Sequence, residues 1–367
     1  SWSNKSLLKQ QNKLSHRYII GLNYLLNEQP DKAIDTFIHL LEVDSDTVET
    51  HLALGSLFRK RGEVDRALRL HQNIIARPAL SAELRQLALF EMGMDYLTAG
   101  VLDRAEHIFE DLKTNPSYRL QSLQQLLNIH QATKDWEQAV ATVKELQYHS
   151  KVDMHVETAH FYCELAQQEI DKTHLSIASG LLRKAGKIDK KSVRVSLMQA
   201  GVEIKQHYWK EALNSYKKIL KQDIHFFSEA LNGLEKCFDA LNIPGAYQKL
   251  LLEAVEKGAG STVLLAAANC IRSNEGDVAA AEYLTGNLRA SPSLRGLQAL
   301  IELHVMHASE KGRDSLILLQ ELVDELLNTK PGYRCENCGF ESRQLYWNCP
   351  GCQHWGTVKP ILGIEGE

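Results

Sequence analysis

The chain is short of proline. Only 8 of its 367 residues are proline, about 2% against a usual ~5%, which favours long runs of helix. It also has no long apolar run. The longest uninterrupted one is Val263–Ala268, far below the ~20 residues that a membrane-spanning helix needs. No signal-peptide pattern is visible. The first residue is Ser1 rather than methionine, so the natural N-terminus is expected to have been removed, together with any anchor it carried. An excess of one charge is missing too: 42 Lys and Arg face 46 Asp and Glu, a net charge of −4. The last 37 residues hold Arg334, Arg343 and Lys359 against four Glu. Neither part has the basic excess that phosphate-backbone binding requires, which excludes a nucleic-acid-binding protein.

Catalytic signatures are equally absent. There is no Gly-x-Ser-x-Gly elbow, no His-Glu-x-x-His pair and no supported pair of catalytic carboxylates. The segment Gly180–Ile188 imitates a phosphate loop, but five residues separate its glycines and isoleucine stands where the metal-binding hydroxyl belongs. It reads as helix, and the basic run Lys187–Arg194 after it as a solvated turn. His304 and His307 share a helix face with no carboxylate or cysteine pattern to join them. An apolar content of 44% and a charged content of 24% are those of an ordinary globular chain.

What the chain does contain is a repeat. Gly21 is followed by Tyr24, Ala33 and Phe37; Gly55 by Phe58, Ala67 and His71; Gly93 by Tyr96, Ala105 and Phe109, at identical offsets. Each unit reads as two helices that cross where small side chains meet, with bulky neighbours filling the groove beside them. The second-helix small residue continues as Ala139, Ala178, Ala212, Ala246, Ala281 and Ser315, most often 34 residues apart. Pro30 and Pro244 fall between paired helices; Pro78, Pro116 and Pro292 fall between repeats, where helices must stop. The pattern resembles the tetratricopeptide repeat family, without the tryptophan often found early in such repeats. The resemblance implies an all-α, right-handed superhelix of about nine helix pairs, whose first helices line a concave protein-binding surface.

Asn328–Gly332 breaks the helical period. Beyond it lie Cys335-x-x-Cys338 and Cys349-x-x-Cys352, ten residues apart, each with an aromatic residue two positions before its first cysteine. Two intervening residues let a tight turn aim both thiolates at one ion, so the spacing predicts a four-thiolate site on Cys335, Cys338, Cys349 and Cys352. Gly339 and Pro350-Gly351 supply turn residues. A segment this short cannot build an adequate core alone. Tyr333, Phe340, Tyr346, Trp347 and Trp355, with one metal, are expected to hold it. His354 could compete as a ligand, but four cysteines already suffice. Cys163, Cys237 and Cys270 lie singly on apolar helix faces and read as buried thiols. Clustered rather than spread cysteines point to a reducing compartment. Iron and zinc both accept four thiolates, and spacing does not choose between them. The knuckles resemble rubredoxin, but the short gap and Gln353 in place of a second glycine argue against electron transfer while leaving metal binding intact.

The expected domains are a linker over 1–15, a solenoid over 16–330 and a rubredoxin-like, zinc-ribbon metal domain over 331–367. Repeats beginning near Tyr18–Gly21, fused to Tyr333–Trp355 and a short Lys359-Pro360-Ile361 tail, resemble the lipopolysaccharide assembly protein B family across nearly the whole chain. That resemblance implies a non-enzymatic adaptor at the cytoplasmic face of the Gram-negative inner membrane, held there by an N-terminal helix that this chain lacks. It implies regulation of lipid A synthesis through the protease FtsH and the deacetylase LpxC, gathering of other lipopolysaccharide-pathway proteins, and metal ligation by the same four cysteines. No partner-binding residue follows from it, and homo-oligomerisation is left open. The alternative reading is a redox carrier or metal sensor joined to a protein-binding solenoid.

Overall fold

A computed structural model describes residues 48–364 continuously, together with residues 19–21, 23, 24, 29, 32, 36 and 366. The expected linker over 1–15, and Pro30, Ala33 and Phe37 of the first repeat, lie outside the described residues. Two compact units divide the chain, Ser1–Asp153 and Met154–Glu367.

In the first unit the described helices form three antiparallel pairs: α1 (Val48–Lys60) with α2 (Val64–Ile75), α3 (Ala82–Thr98) with α4 (Leu102–Leu112), and α5 (Arg119–Thr133) with α6 (Trp136–Ser150). The repeat offsets explain the pairing. A Cβ at Gly55 would sit 2.2 Å from the His71 ring, and one at Gly93 would sit 2.8 Å from Phe109. Glycine in one helix thus admits the bulky residue four positions after the alanine in the other. Ala67, Ala105 and Ala139 are fully buried at the crossings. His71 is also polar and buried, so it needs partners. Its Nδ1 lies 2.5 Å from Asp95 Oδ2, and Arg59 bridges Asp95 and Glu91 at 2.7 Å each.

The second unit continues with α7 (His155–Asp171) and α8 (Leu175–Ile188), then α9 (Val193–Lys205) and α10 (Trp209–Lys217). A short α11 (Ile219–Gln222) and a 3-10 segment (Ile224–Ala230) interrupt the period. Then come α12 (Leu231–Ala240) with α13 (Pro244–Glu256), α14 (Ser261–Glu275) with α15 (Asp277–Ala290), and α16 (Leu294–His307) with α17 (Glu310–Thr329). Eight helix pairs are therefore present among the described residues. Ser192 and Ser293 cap their helices by accepting from Val195 N and Gly296 N. The turns within pairs need a left-handed residue: glycine supplies it at Gly62 and Gly100, whereas Lys134, Thr173, His207 and Asn242 adopt it in later pairs.

The alanine register holds at Ala178 and Ala212, both fully buried, and then slips. Ala246 is exposed and Ala281 only half-buried; the equivalent positions, three residues after each helix start, are Tyr247 and the fully buried Ala280. Tyr247 packs on Phe238 with ring centroids 5.3 Å apart, so an aromatic replaces the small residue at that crossing. Ser315 is exposed on α17. From Ala212 to Tyr247 is 35 residues and from Tyr247 to Ala280 is 33, so a fixed step of about 34 misses first on one side and then on the other. Pro244 is the first residue of α13, the one helical position where its missing N–H costs nothing.

After α17 the chain forms a three-stranded antiparallel sheet in the order β2-β1-β3, from β1 (Tyr333–Cys335), β2 (Glu341–Ser342) and β3 (Val358–Pro360). Cys335 stands opposite Val358, and Arg334 opposite Glu341 and Lys359. No helix among the described residues is long and apolar enough to cross a membrane.

Candidate metal centre and its dock

The two Cys-x-x-Cys segments fold as matching knuckles. In the first, Cys335 N donates to Phe340 O at 2.8 Å and Gly339 N to Cys335 O at 3.0 Å. In the second, Cys349 N donates to His354 O at 3.0 Å and Gln353 N to Cys349 O at 2.8 Å. Gly339 has φ +77° and Gln353 φ +58°. Gln353 therefore does adopt the left-handed conformation of its glycine counterpart, at some local strain.

The folding of the knuckles brings all four sulfurs within 4.8 Å of one another. Cys335 Sγ lies 3.7 Å from Cys352 Sγ, and Cys338 Sγ 3.7 Å from Cys349 Sγ. A tetrahedral ion with metal–sulfur bonds of about 2.3 Å sets its ligands about 3.8 Å apart, so this donor set fits one. Without an ion the sulfurs titrate unequally: the Asn337 side chain and then the His354 amide push the Cys352 thiol down to about 5, while Cys338, although it accepts from the Phe340 amide, is raised to about 12 by desolvation and the neighbouring sulfurs. Cys335 and Cys349 are buried while Cys338 is exposed. His354 is not a member of the cluster; its Nδ1 lies 2.9 Å from the Cys352 carbonyl oxygen.

The small core of this domain consists of Cys335, Cys349 and Val358, with Tyr333, Phe340, Leu345 and Cys352 around them. Two of the aromatics expected to hold that core do something else. Trp347 and Trp355 turn outward onto the helices of the second unit. Trp355 stacks on His160 at 5.2 Å and meets Phe161 edge-on at 5.7 Å. Trp347 stacks on Phe226 at 5.7 Å, with an interplanar angle of 19°.

Between the two indoles lies Arg194, whose guanidinium carbon is 5.8 Å from each ring centroid. Its Nη2 donates to Glu164 Oε1 at 2.6 Å, and its Nη1 lies 3.3 Å from His160 Nδ1. Next to a cation, that ring nitrogen has to be a neutral acceptor. Burial, and then the Arg194 charge, push the His160 pKa down to about 3. Arg194 belongs to the basic run read as a solvated turn. It is instead only 7% exposed, because two tryptophans from far along the chain cover it.

Polar contacts surround this dock. Tyr333 OH donates to Glu229 Oε1 at 2.5 Å, and Lys359 Nζ lies 3.5 Å from Asp223 Oδ2. The tail continues to α16 and α14, where Leu294 N donates to Ile364 O at 2.8 Å and Ser261 Oγ to Gly366 O at 3.3 Å. The metal domain thus spans from α7 to α16. A glycine was not needed to announce the dock, and no periodicity did; the two tryptophans beside the cysteines were its only sequence signal.

Other candidate residues stay apart. Cys163 and Cys237 are buried, and burial pushes their thiols up to about 12 and about 11; Cys270 is half-buried and also raised. His304 and His307 are exposed, with His307 Nε2 2.8 Å from Asp277 Oδ2. Gly180–Ile188 lies on α8, as its helical reading expects.

Residues 333–360 match the rubredoxin metal binding domain, and residues 50–83 match the tetratricopeptide repeat. The chain is 41% identical over 358 residues to lipopolysaccharide assembly protein B of Escherichia coli strain K12, covering 97% of this chain and 92% of that protein. This chain belongs to the lipopolysaccharide assembly protein B family. The Haemophilus influenzae member of that family is 34% identical over 363 residues, covering 96% and 91% of the two chains. Among solved structures, a MamA protein from AMB-1 aligns with a TM-score of 0.33 and 15% identity over 49% of this chain and 93% of its own. A tetratricopeptide repeat protein from Parabacteroides merdae aligns with a TM-score of 0.33 and 14% identity over 76% and 100%.

Proposed function

We propose that this chain is a non-enzymatic adaptor of lipopolysaccharide synthesis, which presents the deacetylase LpxC to the membrane protease FtsH and gathers other proteins of the pathway at the cytoplasmic face of the inner membrane. Its working parts are a repeat solenoid over 16–330 and a metal domain over 331–367. Cys335, Cys338, Cys349 and Cys352 hold one iron or zinc ion, which supplies a structural cross-link between the two knuckles.

The observation that carries the reading is the dock of Trp347 and Trp355 around Arg194. A metal domain that buries its tryptophans on the solenoid is part of the binding scaffold. Membership of the family supplies the pathway, and the repeats supply a surface suited to proteins. The test is reconstitution. Purified FtsH in proteoliposomes should degrade LpxC several-fold faster when this chain, joined to a membrane anchor, is present. An unchanged rate, with LpxC failing to co-purify with the chain, would sink the reading.

A further inference from the structure

A cleft of about 650 Å³ opens between α8, the start of α9 and the α10–α11 junction. Its floor is formed by Leu182 and Val195 with the hydroxyls of Ser192 and Ser196, all buried. Its rim carries Arg183, Lys184 and Lys187 along α8, Lys190 on the turn and Lys218 on the opposite wall, against Asp189 as the one acid. All five cations are exposed, and none is in an ion pair among the described residues. Asp189 is turned into its own loop, where Oδ1 accepts from Lys191 N at 2.9 Å. In a chain of net charge −4 this is a concentrated positive field.

Gln199 lines the wall of the same cleft. Gln199 donates through Nε2 to Glu203 Oε1 at 2.7 Å and to Ser179 Oγ at 3.2 Å. Its Oε1 is buried and accepts from no group. That oxygen is also closed off from solvent, so an incoming ligand meets the charged rim and not this amide.

We propose that this cleft docks an acidic peptide segment of a partner protein. The segment would lay carboxylates along the α8 ridge and against Lys218, and place one apolar side chain at the exposed edge of Val195. The cations are solvated and spread along two walls rather than converging on one point. That arrangement suits an extended polyanion with several spaced charges better than a compact phosphate. The proposal rests on the adaptor reading for its purpose, since it names the chemistry of one partner contact.

The test uses the full chain and a fluorescein-labelled dodecapeptide of Glu, Asp and Leu, followed by fluorescence anisotropy. Binding should weaken roughly tenfold between about 50 mM and about 300 mM NaCl, as exposed charges become screened. The double variant Lys184→Glu/Lys187→Glu should lose roughly tenfold or more in affinity, and Lys218→Glu, on a different helix, should also weaken binding. Lys236→Glu/Lys249→Glu, outside the cleft, should leave it unchanged. Equal binding by the cleft variants, equal loss in the outside variant, or absence of peptide binding would overturn the proposal. So would displacement of the peptide by inorganic phosphate at matched charge, which would assign the cleft to a compact anion. Peptide binding with no effect of the chain on LpxC degradation would reject the adaptor reading and leave the cleft assignment standing.

Discussion

The two compact units are built from the same helix pair but hold it together differently. In the first, packing is local. Gly93 admits Phe109 within one hairpin, and the buried polar group His71 finds Asp95 in the next pair. Each repeat completes its neighbour, as a solenoid stabilised by nearest-neighbour terms should. In the second, the local rule weakens: the alanine register slips after α10, and Tyr247 occupies a crossing that a small residue would fill. There a separate metal domain reaches back along the chain to cover α7, α9 and the 3-10 segment, and its tail reaches α14 and α16. A long-range clamp thus ties helices that keep the alanine register, α7 and α9, to the 3-10 segment and the helices beyond it.

This comparison can be broken most severely at the metal. Structural zinc contributes roughly 10–16 kcal/mol in small peptides, more than a core of this size supplies. Cys349→Ser, or chelation, should unfold residues 331–367, release Trp347 and Trp355 to water, and expose the helices beneath. Limited proteolysis should cut the second unit while the first resists; an unchanged digestion pattern would show that the clamp is not metal-dependent. Next in size is Trp355→Ala. Removing a buried tryptophan costs about 3–5 kcal/mol, and the loss should fall on the second unit alone, as read by hydrogen exchange.

The pH dependence sharpens the contrast further. His160 titrates at about 3 in the folded chain against an ordinary 6.5, so between those values the unfolded chain binds more protons. Stability from this group is therefore complete above about pH 6.5 and falls as the pH drops towards 3, by at most ~1.4 kcal/mol per pH unit. Urea midpoints followed by tryptophan fluorescence from about pH 7 to about pH 5 should drop less steeply in His160→Phe than in the parent chain. Parallel slopes would remove His160 from the clamp. The smallest effect belongs to the first unit. Gly93→Ala drives a Cβ to 2.8 Å from the Phe109 ring and should cost about 1–3 kcal/mol by overpacking, with no change in the metal domain's exchange rates.

Legibility followed the same division. Gly55, Gly93, Ala67 and Ala105 announced the hairpins because a repeat writes its contacts at fixed short separations. The four cysteines were equally plain, since a knuckle needs its sulfurs two residues apart. Ala246 and Ala281 were each misplaced by one residue, in opposite directions, because the repeat there is first longer and then shorter than its usual length. Arg194 looked like one more surface cation. Nothing within its own run distinguishes it from Lys190 or Lys191, and its burial is imposed by residues more than a hundred positions away.

The sequence by itself determined the helix pair, its repetition, the point where it ends and the sulfur cluster beyond it, all of which depend on neighbours within one turn or one hairpin. Only the tertiary structure decided that Trp347 and Trp355 leave their own small domain to enclose Arg194, that His160 is held neutral beside that cation, and that five lysine and arginine side chains line one cleft. Those outcomes depend on which distant surfaces meet, and apolar burial and charge are blind to chain order.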